Sequence, residues 1–204
     1  MRIKLSSVWP IACRALFWIC VAGLISSCSS KPSFENLDLT GNTAFGQNFS
    51  LQDTTGQVRT MADFKGRVVV LVFGYLHCPD VCPETLADLA QTMQQLGDAA
   101  SQVQVLFVTV DPQRDTAPLL AQYVHAFNPR FMGLVPQNDA QLKQVTHDFH
   151  IYYAKAKGTT STDYTVDHTA ASYVFDQRGQ LRLFVKDAQG AASWVHDLKL
   201  LLQH

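Results

Sequence analysis

Charge is what this 204-residue chain has least of: 16 basic and 17 acidic residues make up 16% of it, and no basic stripe or basic–aromatic patch runs along it. That excludes nucleic acid as a partner, because phosphate recognition needs clustered cations. Internal repeats and low-complexity tracts are also missing, which excludes a solenoid or a disordered spacer. What remains is 47% hydrophobic, enough for one buried core with some appendages.

Acidic residues are absent before Glu35, whereas Arg2, Lys4 and Arg14 fall in that stretch. An apolar run over residues 15–25 leads into Ile25-Ser26-Ser27-Cys28. A run of about ten apolar residues is too short to span a bilayer comfortably and fits the h-region of a signal peptide. Small residues just before a cysteine resemble the lipobox of bacterial lipoproteins, where cleavage leaves a diacylated N-terminal Cys28. Two or three acyl chains anchor a protein stably without a transmembrane helix. The alternative, an uncleaved signal anchor, faces the same compartment. The expected organisation is a signal peptide over 1–27, a membrane tether over 28–45 and a folded domain over 46–204. The domain is expected in the periplasm or extracytoplasmic space, held to the cell membrane by acylated Cys28.

Cysteine is scarce, and export makes it scarcer. Removing residues 1–27 takes away three of the 16 basic residues and no acidic ones, leaving 13 against 17, formally −4. Cys13 and Cys20 leave too; with Cys28 acylated, only Cys78 and Cys82 remain as thiols. Two thiols in an exported protein are ordinarily read as one disulfide, so a metal or redox role has to be weighed against that.

Short alternating segments at 49–51 and 58–60, separated by Asp53-Thr54-Thr55-Gly56, predict a hairpin. Residues 67–75 (RVVVLVFGY) and 103–110 (VQVLFVTV) are continuous apolar runs, as expected of strands buried on both faces. Leu86, Leu89, Ala90, Met93 and Leu96 lie at helical spacing in 83–96, closed by Gly97. Further helices are predicted from Asp115 or Thr116 to Phe127, with Pro118 in the first turn, from Asn138 or Asp139 to about Phe149, and over 192–202. A short strand fits 131–135, and a second hairpin fits 172–176 and 181–185 around Gln177-Arg178-Gly179-Gln180. A βαβα half followed by a ββα half is the thioredoxin-like order. The expected fold is therefore α/β and thioredoxin-like: a central mixed sheet, flanking helices and an N-terminal β-hairpin. Its site belongs at the carboxyl end of the first core strand.

Cys78 and Cys82 fall at that end. Pro83 suits the first helical position, which puts Cys82 near the N-cap and Cys78 in the loop before it. Unpaired N–H groups and the helix dipole there favour thiolates. Two soft thiolates about a helical turn apart chelate Cu(I), and one added imidazole gives a trigonal set that also accepts Cu(II). Thioredoxin-type reductases use C-x-x-C; here three residues intervene, and Pro79 and Pro83 stiffen the loop. That favours holding both sulfurs at a metal, although a disulfide remains closable.

The segment GYLHCPDVCPETL (residues 74–86) resembles the signature of the Sco family, also called SenC or PrrC, copper proteins of cytochrome c oxidase assembly. FVTVDPQRDT (107–116) and DYTVDHT (163–169) are similar to two further family stretches, in order and in register, from about Phe49 to the C-terminus. The resemblance implies that Cys78, Cys82 and His168 bind one copper ion, Cu(I) and/or Cu(II), and that Asp167 and Asp111-Pro112 shape the loops around it. Leu76, Thr169 and Ala117 depart from the family's commoner threonine, serine and proline, and none is a ligand. The implied function is a metallochaperone rather than an enzyme. It would deliver copper to the binuclear copper site of cytochrome c oxidase, with that copper-site subunit and other copper chaperones as partners.

Three other readings stand beside it. In a thiol–disulfide reductase Cys78 and Cys82 would be the redox-active pair, acting on the oxidase's own cysteines or in redox signalling. Residues 163–172 contain no proline, where thioredoxin-like oxidoreductases usually place one. A peroxide reductase is faintly similar at Val81-Cys82-Pro83-Glu84, but Pro79 occupies the place of the threonine such sites use. A structural disulfide in a binding module is the plainest alternative. Of the remaining histidines, His77 adjoins Cys78 but points away along an extended chain. His125, His147, His150, His196 and His204 lack motif context and are read as solvated; Tyr152-Tyr153 reads as core or sheet surface. Asp80 reads as a turn former.

Overall fold

The computed structural model describes residues 33–156, 164–186 and 189–203. The expected signal peptide, the expected lipidation site Cys28, Asp163 and His204 lie outside these residues. The folded unit begins at Phe34. Among the described residues no helix is long and apolar enough to cross a membrane.

The apolar runs become the centre of an eight-stranded sheet. β1 (Leu37–Asp38), β2 (Ser50–Asp53), β3 (Val58–Thr60), β4 (Val68–Gly74), β5 (Val103–Thr109), β6 (Met132–Val135), β9 (Ala171–Phe175) and β10 (Leu181–Lys186) stand in the order β1-β10-β9-β4-β5-β6-β2-β3. β4, β5 and β6 are parallel, and β9 pairs antiparallel with β4. Every residue of β4, β5 and β9 is buried, which is why these segments read as unbroken apolar runs instead of alternating ones. The expected hairpin exists as β2–β3, and β2 pairs with β6 at one edge of the sheet. A separate two-stranded ribbon, β7 (Tyr153–Lys155) with β8 (Val166–His168), was not foreseen.

Among the described residues four α-helices flank the sheet: α1 (Val81–Leu96), α2 (Ala117–Phe127), α3 (Asp139–Asp148) and α4 (Ala191–Leu202). The Asn138 side chain caps α3 by accepting from Gln141 N, as its residue type favours. α1 starts two residues earlier than its apolar spacing indicates, with Asp80 at the N-cap. Pro83 is thus the third helical residue, a position whose missing N–H has no partner inside the helix anyway. α2 is capped at Thr116, which frees Asp115 for another task. α4 docks through Trp194, Leu198 and Leu201, all at most 1% exposed. The sheet, its flanking helices and the edge hairpin form a thioredoxin-like domain.

The folded unit begins earlier than the expected boundary at residue 46. Residues from Phe34 onward are part of the fold: β1 pairs with β10 at the sheet edge, and Leu39 is buried. The Asp197 carboxylate, 1% exposed, accepts from Glu35 N (2.9 Å), Asn36 N (3.0 Å) and Asn36 Nδ2 (2.9 Å). The polar, mixed composition of this stretch hid the pairing, because an edge strand of two residues leaves almost no periodic signal.

Asp197→Ala strips the acceptor from three donors. Leaving them unmade should lower the unfolding free energy by about 1–3 kcal/mol and open the 34–39 strap to proteases. A denaturant midpoint equal to wild type, with the strap still protected, would show that Asp197 does not fasten it.

Candidate metal centre

β4 ends at Gly74, and the chain turns immediately through Tyr75 and Leu76, Cys78 N donating to Tyr75 O (3.2 Å). Cys78 lies in this turn and Cys82 is the second residue of α1, respectively 9% and 1% exposed. No disulfide joins them. His168 ends β8, opposite Tyr153 in the ribbon, and its Nε2 is 3.3 Å from Cys82 Sγ. The two sulfurs and one imidazole nitrogen all lie within 4.8 Å of one another. Metal–thiolate bonds run roughly 2.3 Å, so two sulfurs on one ion stand about 4 Å apart. The three donors need only small adjustments to share an ion, and their softness suits copper or zinc rather than a hard cation.

Close packing fixes Cys82. A Cβ built on Gly74 would lie 2.6 Å from Cys82 Sγ and 2.8 Å from Phe107 Cζ. Only glycine lets helix and strand approach so closely. Cys78 is held for ionisation instead. Its thiol is lowered from 9.0 to about 5, chiefly because the Cys82 S–H donates to the thiolate. The backbone N–H groups of Asp80 and Cys82 and the charge of His168 add to this, while burial opposes it.

The surrounding loops are braced by buried acids. Asp115, fully buried, accepts from Leu76 N (3.1 Å) and Thr109 Oγ1 (2.6 Å), tying the loop before Cys78 to the end of β5. Burial raises its pKa. Asp111 accepts from the Tyr164 hydroxyl (2.7 Å) and pairs with Arg114. Tyr75 meets His168 edge-on, ring centroids 5.6 Å apart. The mouth is a shallow recess of about 440 Å³, with Tyr75, Cys78, Pro79, Val81, Asp167 and His168 among its walls.

The structure therefore brings Cys78, Cys82 and His168 together and, among the described residues, leaves the other histidines outside. His77 is exposed and its Nδ1 is 4.0 Å from Asp115 Oδ1. His150 Nε2 lies 2.9 Å from Ala44 O, and His196 Nδ1 2.8 Å from Asp197 Oδ1. Asp167 is exposed at the mouth, while Asp111 braces from behind. Gly74, Tyr75, Arg114, Asp115 and Tyr164 escaped assignment from sequence. The only available signal was their place inside the three matched stretches, since no spacing rule links them.

Fold and site together define a thioredoxin-like protein whose dithiol is joined by a histidine into a soft metal-ligand set. Residues 38–203 match the SCO1/SenC family, and the chain belongs to that family. It is 42% identical over 151 residues to the mitochondrial SCO2 homolog of Bos taurus, covering 72% of this chain and 56% of that protein. The chain thus spans about half the length of the curated relatives it matches. Among solved structures it resembles Bradyrhizobium japonicum ScoI with copper bound (34% identity, TM-score 0.67, covering 76% of this chain and 98% of that one). It also resembles apo Sco1 from Thermus thermophilus (32% identity, TM-score 0.73, covering 84% of this chain and 99% of that one).

Reduced, metal-free protein should show thiolate absorbance rising around pH 5 as Cys78 ionises. In Cys82→Ala the rise should move toward the value of an ordinary thiol, because the largest stabilising contact is gone. An unchanged titration in that variant would refute the S–H···S⁻ contact as the cause.

Proposed function

We propose that this chain is a copper metallochaperone that carries one copper ion on Cys78, Cys82 and His168 and delivers it to the binuclear copper site of cytochrome c oxidase. The observation that carries the reading is the convergence of three soft donors within 4.8 Å. Two thiolates satisfy Cu(I), and the imidazole extends the set to Cu(II). Relatives solved with copper bound, ScoI from Bradyrhizobium japonicum and from Arabidopsis thaliana, support it. Delivery would run through thiolates shared between carrier and acceptor, so the ion is never free. The oxidase's copper-site subunit is the acceptor, and other copper chaperones are the donors. Export through the signal peptide, followed by its cleavage and acylation of Cys28, would leave the domain held on the outer face of the cell membrane, within reach of a membrane-bound acceptor.

Titrating reduced protein with Cu(I) and Cu(II) tests the ligand set. Cys78→Ala and Cys82→Ala should each lose tight binding of both ions, and His168→Ala should lose most of the Cu(II) affinity. Wild-type binding by all three variants would exclude this set.

A second reading, a thiol–disulfide reductase acting on the cysteines of that oxidase site, is favoured by one observation. The Cys78 thiol is held at about 5 beside a second thiol, so it is a thiolate at neutral pH, the form that attacks a disulfide. Each turnover would oxidise Cys78 and Cys82 to a disulfide while reducing one on the substrate, without need of His168. For a carrier, exchange with an oxidised peptide from the acceptor site should stay at background. Rapid exchange that survives His168→Ala would transfer the assignment to the reductase.

A further inference from the structure

We infer that Arg114 is the positioning residue that keeps His168 within reach of the sulfurs. The inference rests on the reading above in which His168 is a ligand.

The problem it solves is mechanical. Cys78 and Cys82 are set by the main sheet and α1, but His168 stands on the β7–β8 ribbon, which pairs with no strand of that sheet. A two-stranded ribbon is marginally stable by itself, so the position of its last residue depends on what bolts the ribbon down. Arg114, in the loop after β5, makes several of those connections, beside a hydrogen bond between the Tyr75 hydroxyl and the Val166 backbone. Its Nη1 donates to the Tyr164 carbonyl (2.8 Å), two residues before β8. Its guanidinium stacks on the Tyr164 ring at 3.6 Å. Its Nε pairs with Asp111, which also accepts from the Tyr164 hydroxyl. The same guanidinium lies 5.9 Å from the centre of the Tyr75 ring, whose edge meets His168. One planar cation thus grips the segment that leads into the ligand-bearing strand and approaches the ring that backs the ligand.

Only arginine does this. Bidentate donation together with face stacking needs a planar fork; a lysine ammonium supplies charge without either. The side chain is 16% exposed and Asp111 2%, so the pair is not a solvated surface ion pair of negligible worth. The other side-chain link between these loops, Lys155 Nζ to Gln113 Oε1 (2.9 Å), joins two exposed residues and is the weaker bolt.

Arg114→Gln should therefore act as a partial loss of His168. Supports of a metal ligand typically contribute about 10- to 100-fold in affinity. Cu(II) affinity of the reduced protein, measured against a competing chelator, should fall by that factor, and the Cu(II) spectrum should shift toward that of His168→Ala. The double variant should bind no more weakly than His168→Ala alone, since a bolt has nothing to position once the ligand is gone. Arg114→Lys should not rescue. Where Arg114→Gln does not fold, Tyr164→Phe, which removes only the hydroxyl bond to Asp111, enters the same cycle with the same expected direction. Wild-type copper affinity in the folded variant, or losses that simply add in the double variant, would overturn the inference while leaving His168 a ligand. Wild-type binding by His168→Ala would overturn both.

Discussion

The 3.3 Å approach of Cys82 Sγ to His168 Nε2 is the contact on which this architecture turns. It joins residues 86 positions apart, from two elements that share no hydrogen-bonded ladder. Everything nearby serves one side of that approach. On the sulfur side, Gly74 gives up its side chain so that α1 settles against β4, and Asp115 holds the Leu76 N–H from beneath. On the imidazole side, the Tyr75 ring backs His168, and Asp111 receives the Tyr164 hydroxyl. Two buried carboxylates thus work on opposite margins of one site. Neither touches a ligand.

The sulfur half of the site was legible from residue order. A continuous apolar run ending in Gly74-Tyr75, then two cysteines, then helical spacing from Leu86, place a thiol pair at a strand-to-helix turn through local rules alone. The imidazole half was not. Nothing in the spacing of 163–169 separates His168 from the other histidines; only resemblance selected it. The ribbon carrying it escaped because β7 and β8 have three residues each, too few for alternation to show. Nor does sequence couple Arg114 to Tyr164, since their contact is an accident of two loops meeting in space. Asp115 shows the same limit from the other direction. Its residue type suits a helix cap, yet tertiary demand moved it one position out of that role.

The edges of the domain follow the same logic. Strands β4, β5 and β9 are buried on both faces and announce themselves through composition, whereas β1 at the margin consists of two exposed residues. Its attachment is specified by Asp197, 161 positions away from Asn36. A buried carboxylate that satisfies backbone donors replaces the hydrophobic signal a longer strand would have given. Long-range polar pairing fixes the boundary of the folded unit, and such pairing leaves no periodic trace.

The division of the ligands between a rigid and a softer support has a chemical consequence on the reading proposed above. Thiolates bind soft ions tightly, and here they stand on elements anchored by fully buried strands. The imidazole is the weaker donor toward Cu(I), and it stands on a two-stranded ribbon that pairs with no strand of the main sheet. A carrier that must exchange one bond at a time loses least when its softest-held ligand is also its weakest. The Cys78–Cys82 pair then keeps the ion while an incoming thiolate takes the position vacated by His168. The same asymmetry explains why the low thiol pKa at Cys78 accompanies, and does not replace, the histidine. Cys78, ionised at neutral pH, needs no proton removed before it binds the metal, whereas Cys82, whose S–H donates to it, releases its proton as the second thiolate forms.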